Sequence, residues 1–282
     1  MYSRIPFQLQ LQCEVMELIG NIYRNNTFPY GPRVEDHYPS LFLKFHHVFI
    51  TMMLYILLVK VFGPMIMRKR KPFSLKIIMM AYNLSQVLLN FYLLHKAILY
   101  WHSWIPKFWN HVCNPISETM GFTEENKMTY MQMMYYFYLT KLVDLLDTVF
   151  FVLRKKQSQV TFLHIFHHTS MVFNMWVSLI YLREEVISIF GIMNGTVHVI
   201  MYMYYFLAAF GPGIQKYLWW KKYLTKLQLV QFVIMIAISV KVKLIDCDCN
   251  PWFWTMWSFS VTVYFILFVH FYVTSYRKVK KV

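Results

Sequence analysis

Residues 164–168 run His164-Ile165-Phe166-His167-His168, three imidazoles at i, i+3 and i+4 inside a segment whose flanks are apolar. At about 100° per residue the three side chains fall within an arc of roughly 100° on one helix face. They therefore converge. Ionisable groups at membrane depth are costly unless they face an interior cavity and find partners there, so the cluster marks a functional site on a helix that crosses a bilayer.

The surrounding chain supports that setting. Of its 282 residues, 58% are hydrophobic, 20% aromatic and only 15% charged, whereas about a quarter of a soluble domain is charged. Apolar runs of about 20 residues suffice to span a bilayer core of about 30 Å. Seven spans are expected, centred near Ile50, Leu88, Tyr138, Phe173, Met201, Val233 and Ile266. Polar interruptions make the third, fourth and fifth the least clean by hydropathy. The expectation is an all-α integral membrane protein with one polytopic domain over 1–282, a lumenal N-terminal segment over 1–40 and a basic cytosolic tail over 275–282.

The formal net charge of +15 does not point to nucleic acid, because of where it lies. Basic residues cluster on alternate connections: Arg68-Lys69-Arg70-Lys71, Arg154-Lys155-Lys156, Lys216 with Lys221 and Lys222, and Arg277, Lys278, Lys280 and Lys281. The positive-inside rule places these segments in the cytosol and the N-terminus on the other side, as an odd number of spans requires. Contacts with anionic membrane lipids account for most of this charge, and some of it suits substrate phosphates. The first twenty residues lack the apolar core of a signal peptide, so the first span is expected to act as its own targeting signal.

Asn25-Asn26-Thr27 is a glycosylation sequon on the expected lumenal side, whereas those at Asn83 and Asn194 fall within spans and should stay unmodified. Cys13, Cys113, Cys247 and Cys249 all fall in lumenal segments, where disulfides are permitted. A bridge from Cys113 to Cys247 or Cys249 would tie two lumenal connections together. No cysteine lies near the histidines, which argues against a thiolate nucleophile and against a zinc site with Cys ligands.

Other polar residues accompany the imidazoles. Lys141, Asp144 and Asp147 repeat every three residues along the third span and suit an ion-paired stripe. Their pairing serves either an interhelical strut or a catalytic network, and Asp147 and Thr148 are also placed to orient a histidine of the fourth span. Asn194 and His198 sit one turn apart in the fifth span, followed by Tyr202, Tyr204 and Tyr205. Thr225, Gln228 and Gln231 in the sixth suit interhelical hydrogen bonds or the lining of a polar tunnel mouth. His46, His47, His95, His102, His111 and His270 are expected to be interfacial or structural.

These residues, taken in order, resemble a known family. Lys141-x-x-Asp144-x-x-Asp147-Thr148-Val149-Phe150-Phe151-Val152-Leu153-Arg154-Lys155-Lys156, then Leu163-His164-x-x-His167-His168, then Asn194-x-x-x-His198-x-x-Met201-Tyr202-x-Tyr204-Tyr205, then Thr225-x-x-Gln228-x-x-Gln231-Phe232 is similar to the very-long-chain fatty acid elongases, condensing enzymes of the endoplasmic reticulum. Gly63-Pro64, Met67, Arg70-Lys71-Pro72 and Tyr82-Asn83 match the family's first-loop pattern. One departure is Asp144, where the family usually has Glu.

The resemblance implies that six of the seven helices form an inverted barrel around a narrow acyl tunnel. It also implies that a long-chain acyl-CoA and malonyl-CoA condense to a 3-ketoacyl-CoA two carbons longer, with no bound cofactor and no metal. By carry-over His167 is the nucleophile, with His198 across the tunnel and His164 and His168 orienting it or exchanging protons. Asn194 and the hydroxyls of Tyr202 and Tyr205 would polarise the thioester carbonyl or hold the malonyl carboxylate, with Lys141, Asp144, Asp147, Gln228 and Gln231 in support. The implied partners are the reductases and dehydratase of the elongation cycle, with a homo-oligomer as a further expectation. Lys278-Val279-Lys280-Lys281-Val282 fits a dilysine retrieval signal carried by Lys278 and Lys280, or else a polybasic anchor. Gln159-Val160-Thr161-Phe162 looks like the family branches that handle very long or unsaturated chains.

Two other classes compete. Membrane desaturases and hydroxylases also carry histidine boxes, but a di-iron site needs several boxes and only one HxxHH occurs here. A seven-helix transporter or receptor would show no acyl-CoA turnover.

Overall fold

A computed structural model describes residues 34–101, 124–182, 187–245 and 251–276. Among these residues the regular structure is helical, with no strand. After short turns at Val34–His37 and Ser40–Phe42 come α1 (Phe45–Met67), α2 (Lys76–Trp101), α3 (Glu124–Asp144), α4 (Leu146–Leu153), α5 (Phe162–Val177), α6 (Ile187–Ala208), α7 (Lys221–Leu244) and α8 (Pro251–Tyr276).

Five of these are long and apolar enough to cross a membrane: Phe45–Met67, Lys76–Tyr100, Ile187–Ala208, Lys221–Leu244 and Trp254–Tyr276. The expected third and fourth spans coincide with α3 and α5, which miss that standard. α3 carries Glu124, Glu125, Lys127, Lys141 and Asp144, and α5 has only 16 residues before a π-helical turn at Ser178–Leu182. Both are the helices whose polar cargo the sequence had flagged.

Neighbouring helices run in a cycle: α2 packs on α6, α6 on α7, α7 on α8, α8 on α5, α5 on α3, and α3 back on α2. α1 stands outside this cycle, against α4 and α5. The tightest seam joins α2 to α6, where a Cβ on Gly195 would touch Leu94 Cβ at 3.9 Å. Small residues let two backbones approach closely in a membrane.

Two irregularities shape the walls. Pro64 has no N–H to offer the carbonyl four residues earlier, and α1 widens into a π-helical turn at Leu58–Phe62, closed by Gly63 N–H to Leu58 O. A Cβ at Gly63 would lie 2.6 Å from both Leu58 O and Val152 Cγ1, so only glycine lets α1 lie this close to α4. The second is a break between α3 and α4 at Leu145, whose N–H bonds Leu142 O three residues back at 3.3 Å. That break separates Asp144 from Asp147.

Side chains pin the entry segment: Tyr138 donates to Phe42 O at 2.8 Å and Trp176 Nε1 to Leu43 O at 2.6 Å. The basic connections gather at one end. Phe73 N–H bonds Leu153 O at 3.1 Å, Lys155 Nζ reaches Arg68 O at 3.3 Å and Lys76 Nζ reaches Phe210 O at 3.5 Å. All four cysteines, Asn25, and Lys278 and Lys280 lie outside the described residues.

Candidate active site

The histidine helix is set by its cap. Thr161 is extended (φ −80°, ψ 165°) and its Oγ1 accepts from His164 N–H at 3.2 Å, which satisfies one open donor of the first turn of α5. His164 and His168 then pack with ring centroids 4.3 Å apart and planes tilted by 50°, and His167 meets His168 edge-on at 5.7 Å. All three predicted imidazoles share one helix face.

His167 is held from α8. Its ring packs edge-to-face on Tyr264 at 4.8 Å and on Phe268 at 5.9 Å. Tyr264 is fixed in turn, because its hydroxyl donates to Ser170 Oγ at 2.8 Å and accepts from Asn174 Nδ2 at 3.4 Å. Ser170 hands its own proton to Phe166 O. His167 Nδ1 and His164 Nε2 are buried with no hydrogen-bond partner among the described residues. Those nitrogens keep their bonding capacity for a substrate.

Across from α5 stands a hub built on Lys141. Its ammonium donates to Asp144 Oδ2 at 3.1 Å and to Asn194 Oδ1 at 3.0 Å, and approaches His198 Nδ1 at 3.5 Å. Asp144 is 3.7 Å from that same nitrogen, beyond hydrogen-bond range. Because Asn194 spends its oxygen on Lys141, both amide N–H bonds of Nδ2 remain to be given elsewhere. This turns Asn194 into a donor aimed away from the hub, as stabilising a carbonyl oxygen demands.

Asp144 accepts from two further donors. Gln86 Nε2 donates to its Oδ1 at 2.6 Å, and Tyr202 OH to the same oxygen at 2.9 Å. Tyr202 also reaches Asp147 Oδ2 at 2.8 Å. A phenol has one hydrogen, so it serves one carboxylate at a time.

Three expectations need correction here. Asp147 joins the cluster through Tyr202 and makes no ion pair with Lys141, and Thr148 bonds Tyr55 OH at 2.5 Å, so neither orients a histidine of α5. Tyr202 has its hydroxyl between two carboxylates, which occupies the group expected to polarise the thioester. Gln231 Nε2 meets Met235 Sδ of its own helix at 3.9 Å in place of a group on another helix, whereas Gln228 Nε2 reaches Met201 Sδ of α6 at 3.7 Å and Thr225 Oγ1 lies 3.5 Å from Tyr276 OH of α8. Gln231 also lines a cavity. Tyr205 packs against Tyr202 and Tyr204, at centroid distances of 6.2 and 5.8 Å.

That cavity joins the two halves of the site. His167, Asn194 and Gln231 line it at one level, and Met175, Phe190 and Trp257 farther from the basic end. Its walls are mostly apolar. Among the described residues no group of three His, Cys, Asp or Glu side chains is placed to hold one metal ion.

A histidine helix facing a buried Lys-Asp-Asn-His cluster over an apolar cavity has known counterparts. The model of the GNS1/SUR4 family (ELO) matches residues 40–282. This chain belongs to the ELO family. It is 38% identical over 220 residues to very long chain fatty acid elongase 4 of Macaca mulatta, covering 78% of this chain and 68% of that one. It is 35% identical over 273 residues to very long chain fatty acid elongase 1 of Mus musculus, covering 94% and 93%. Very long chain fatty acid elongase 7 of Rattus norvegicus is 38% identical over 232 residues, covering 81% and 80%.

Several residues of this ELO-family site escaped the sequence reading. Gln86 is the most buried of them, and its signal was present: Tyr82, Gln86 and Asn90 recur every four residues on an otherwise apolar helix. Tyr264, Ser170 and Asn174 gave none, since hydroxyl and amide groups are scattered through every span.

Proposed function

We propose that this protein is a fatty acid elongase that condenses a long-chain acyl-CoA with malonyl-CoA, releasing CO2 and CoA and forming a 3-ketoacyl-CoA two carbons longer. The observation that carries this reading is the shared cavity, in which an imidazole with a free buried nitrogen and an amide with uncommitted N–H groups meet over an apolar bore. Membership of the ELO family, among very long chain fatty acid elongases, supports it.

In this reading the neutral imidazole of His167 attacks the thioester carbonyl, and Asn194 Nδ2 donates to the oxygen as it gains charge. The tetrahedral adduct expels CoA thiolate, which takes up a proton, and leaves an acyl-imidazole. Malonyl-CoA then loses CO2. The electron pair of that C–C bond becomes an enolate, which attacks the acyl carbon, and the imidazole nitrogen of His167 leaves as the ring takes up a proton passed from solvent by the neighbouring imidazoles. Tyr264 fixes the ring that attacks, and Lys141 with Asp144 fixes Asn194 and His198. His164 and His168 exchange protons beside the reacting carbon.

The cyclic order of α2, α6, α7, α8, α5 and α3 supports a six-helix barrel around the acyl chain, with α1 outside and α3 and α5 as the two remaining spans of seven. The gathered basic connections support a cytosolic mouth where Lys and Arg meet the CoA phosphates, a lumenal N-terminus and a cytosolic C-terminus. Retention in the endoplasmic reticulum by Lys278 and Lys280 follows from that orientation. The reductases and dehydratase of the cycle would consume the product.

The test is malonyl-CoA-dependent elongation of saturated and unsaturated acyl-CoAs in microsomes, comparing wild type with His167→Ala at equal abundance. Elongation by the wild type and its loss in the variant is the expected result. Elongation retained in the variant would remove His167 as nucleophile.

A further inference from the structure

A second cavity lies beside the first, between α2, α3 and α6. Leu94, Ala97, Tyr130, Met134 and Ile192 line it, and its volume of about 30 Å³ is room for one methyl group. Phe137 and Gly191 line both cavities, so these two residues form the wall between them. The ring of Phe137 faces α6 at Gly191, with its Cε1 and Cζ 3.9 Å from where a Cβ on that glycine would sit. Lys141 Nζ stands 4.8 Å from the ring centroid, within cation–π range. The partition therefore lies against α6 and is tied to the charged hub.

Gly191 lies one helical turn from Asn194, away from the basic end, so the wall borders the first few carbons of a chain whose thioester is at His167 and Asn194. We propose that Phe137 is a specificity-determining residue that keeps the acyl chain unbranched at this depth, and that the cavity behind it accepts a methyl branch once the ring is removed. The inference rests on the condensation reading above. A close-packed interior rejects an added methyl because overpacking forces neighbouring side chains off their rotamers, and an aromatic ring lodged between two helices has little freedom to yield.

The experiment measures kcat/KM for a straight-chain saturated acyl-CoA and for isomers carrying one methyl group at successive carbons. Phe137→Ala should raise the ratio of methylated to straight substrate by roughly tenfold or more, and only for isomers methylated at one or two neighbouring carbons. Ala97→Leu, which fills the second cavity from α2, should leave straight-chain turnover unchanged by itself and cancel the gain when combined with Phe137→Ala. Should Phe137→Ala fail to accumulate, Phe137→Val gives the same comparison with less volume removed. An unchanged ratio, a rise at every carbon alike, or a gain that Ala97→Leu does not reverse would overturn the assignment. Absence of turnover by the wild type on every substrate would instead overturn the condensation reading, and the two failures are thus distinct.

Discussion

Lys141 holds two oxygens and approaches a ring nitrogen with one ammonium, and every one of those partners is buried. Removing one member of a buried ion pair costs about 3–5 kcal/mol, because the other charge is left alone in a poor solvent. Lys141→Met should therefore lower the melting temperature strongly and abolish elongation, measured on purified protein and microsomes respectively. Gln86→Leu makes a gentler probe. It deletes a 2.6 Å bond to the Asp144 carboxylate, and hydrogen bonds to charged groups contribute about 1.5–3 kcal/mol. A drop in stability of that size with a matching fall in activity is expected, while Gln86→Glu should be worse than Gln86→Leu because it sets two carboxylates side by side. The Lys141-x-x-Asp144 pairing was legible from spacing alone. Its links to Gln86, Asn194 and Tyr202 were not, because periodicity assigns a residue to a face of its own helix and says nothing about which neighbour that face meets.

At the scale of helices, the reading from sequence succeeded where a local signal existed. The HxxHH spacing placed three rings on one face, while the structure adds that Thr161 caps that helix, a local signal the sequence reading had left unused. Thr161→Ala should cost about 1 kcal/mol, seen as a lower melting temperature with partial loss of elongation, and Thr161→Ser should restore both. Gly63→Ala is the sharper test of packing. Its new methyl would meet Leu58 O and Val152 Cγ1 at 2.6 Å, so α1 must draw back from α4 and thermal stability should fall by about 1–3 kcal/mol. The break at Leu145 was illegible, since neither Gly nor Pro stands near it. It arises where α3 tightens to a three-residue hydrogen bond just after the charged pair.

For the whole molecule, composition and the alternation of basic connections were enough to expect a helical membrane protein, and the structure gathers those connections at one end. The cyclic order of helices was beyond reach, because it depends on contacts such as Gly195 against Leu94 that pair residues far apart in the chain. Replacing both Lys278 and Lys280 by Ala should release the protein to later compartments, seen by microscopy, and an unchanged location would count against retrieval. A buried ammonium shared among several partners also governs how much protein a cell keeps. Variants that neutralise it leave a carboxylate stranded inside the bundle, and quality-control proteases clear such molecules at a rate set by how often they open. Inherited changes at this position would thus act first as a shortage of enzyme, and a lipid profile from living cells gains chemical meaning only after division by abundance.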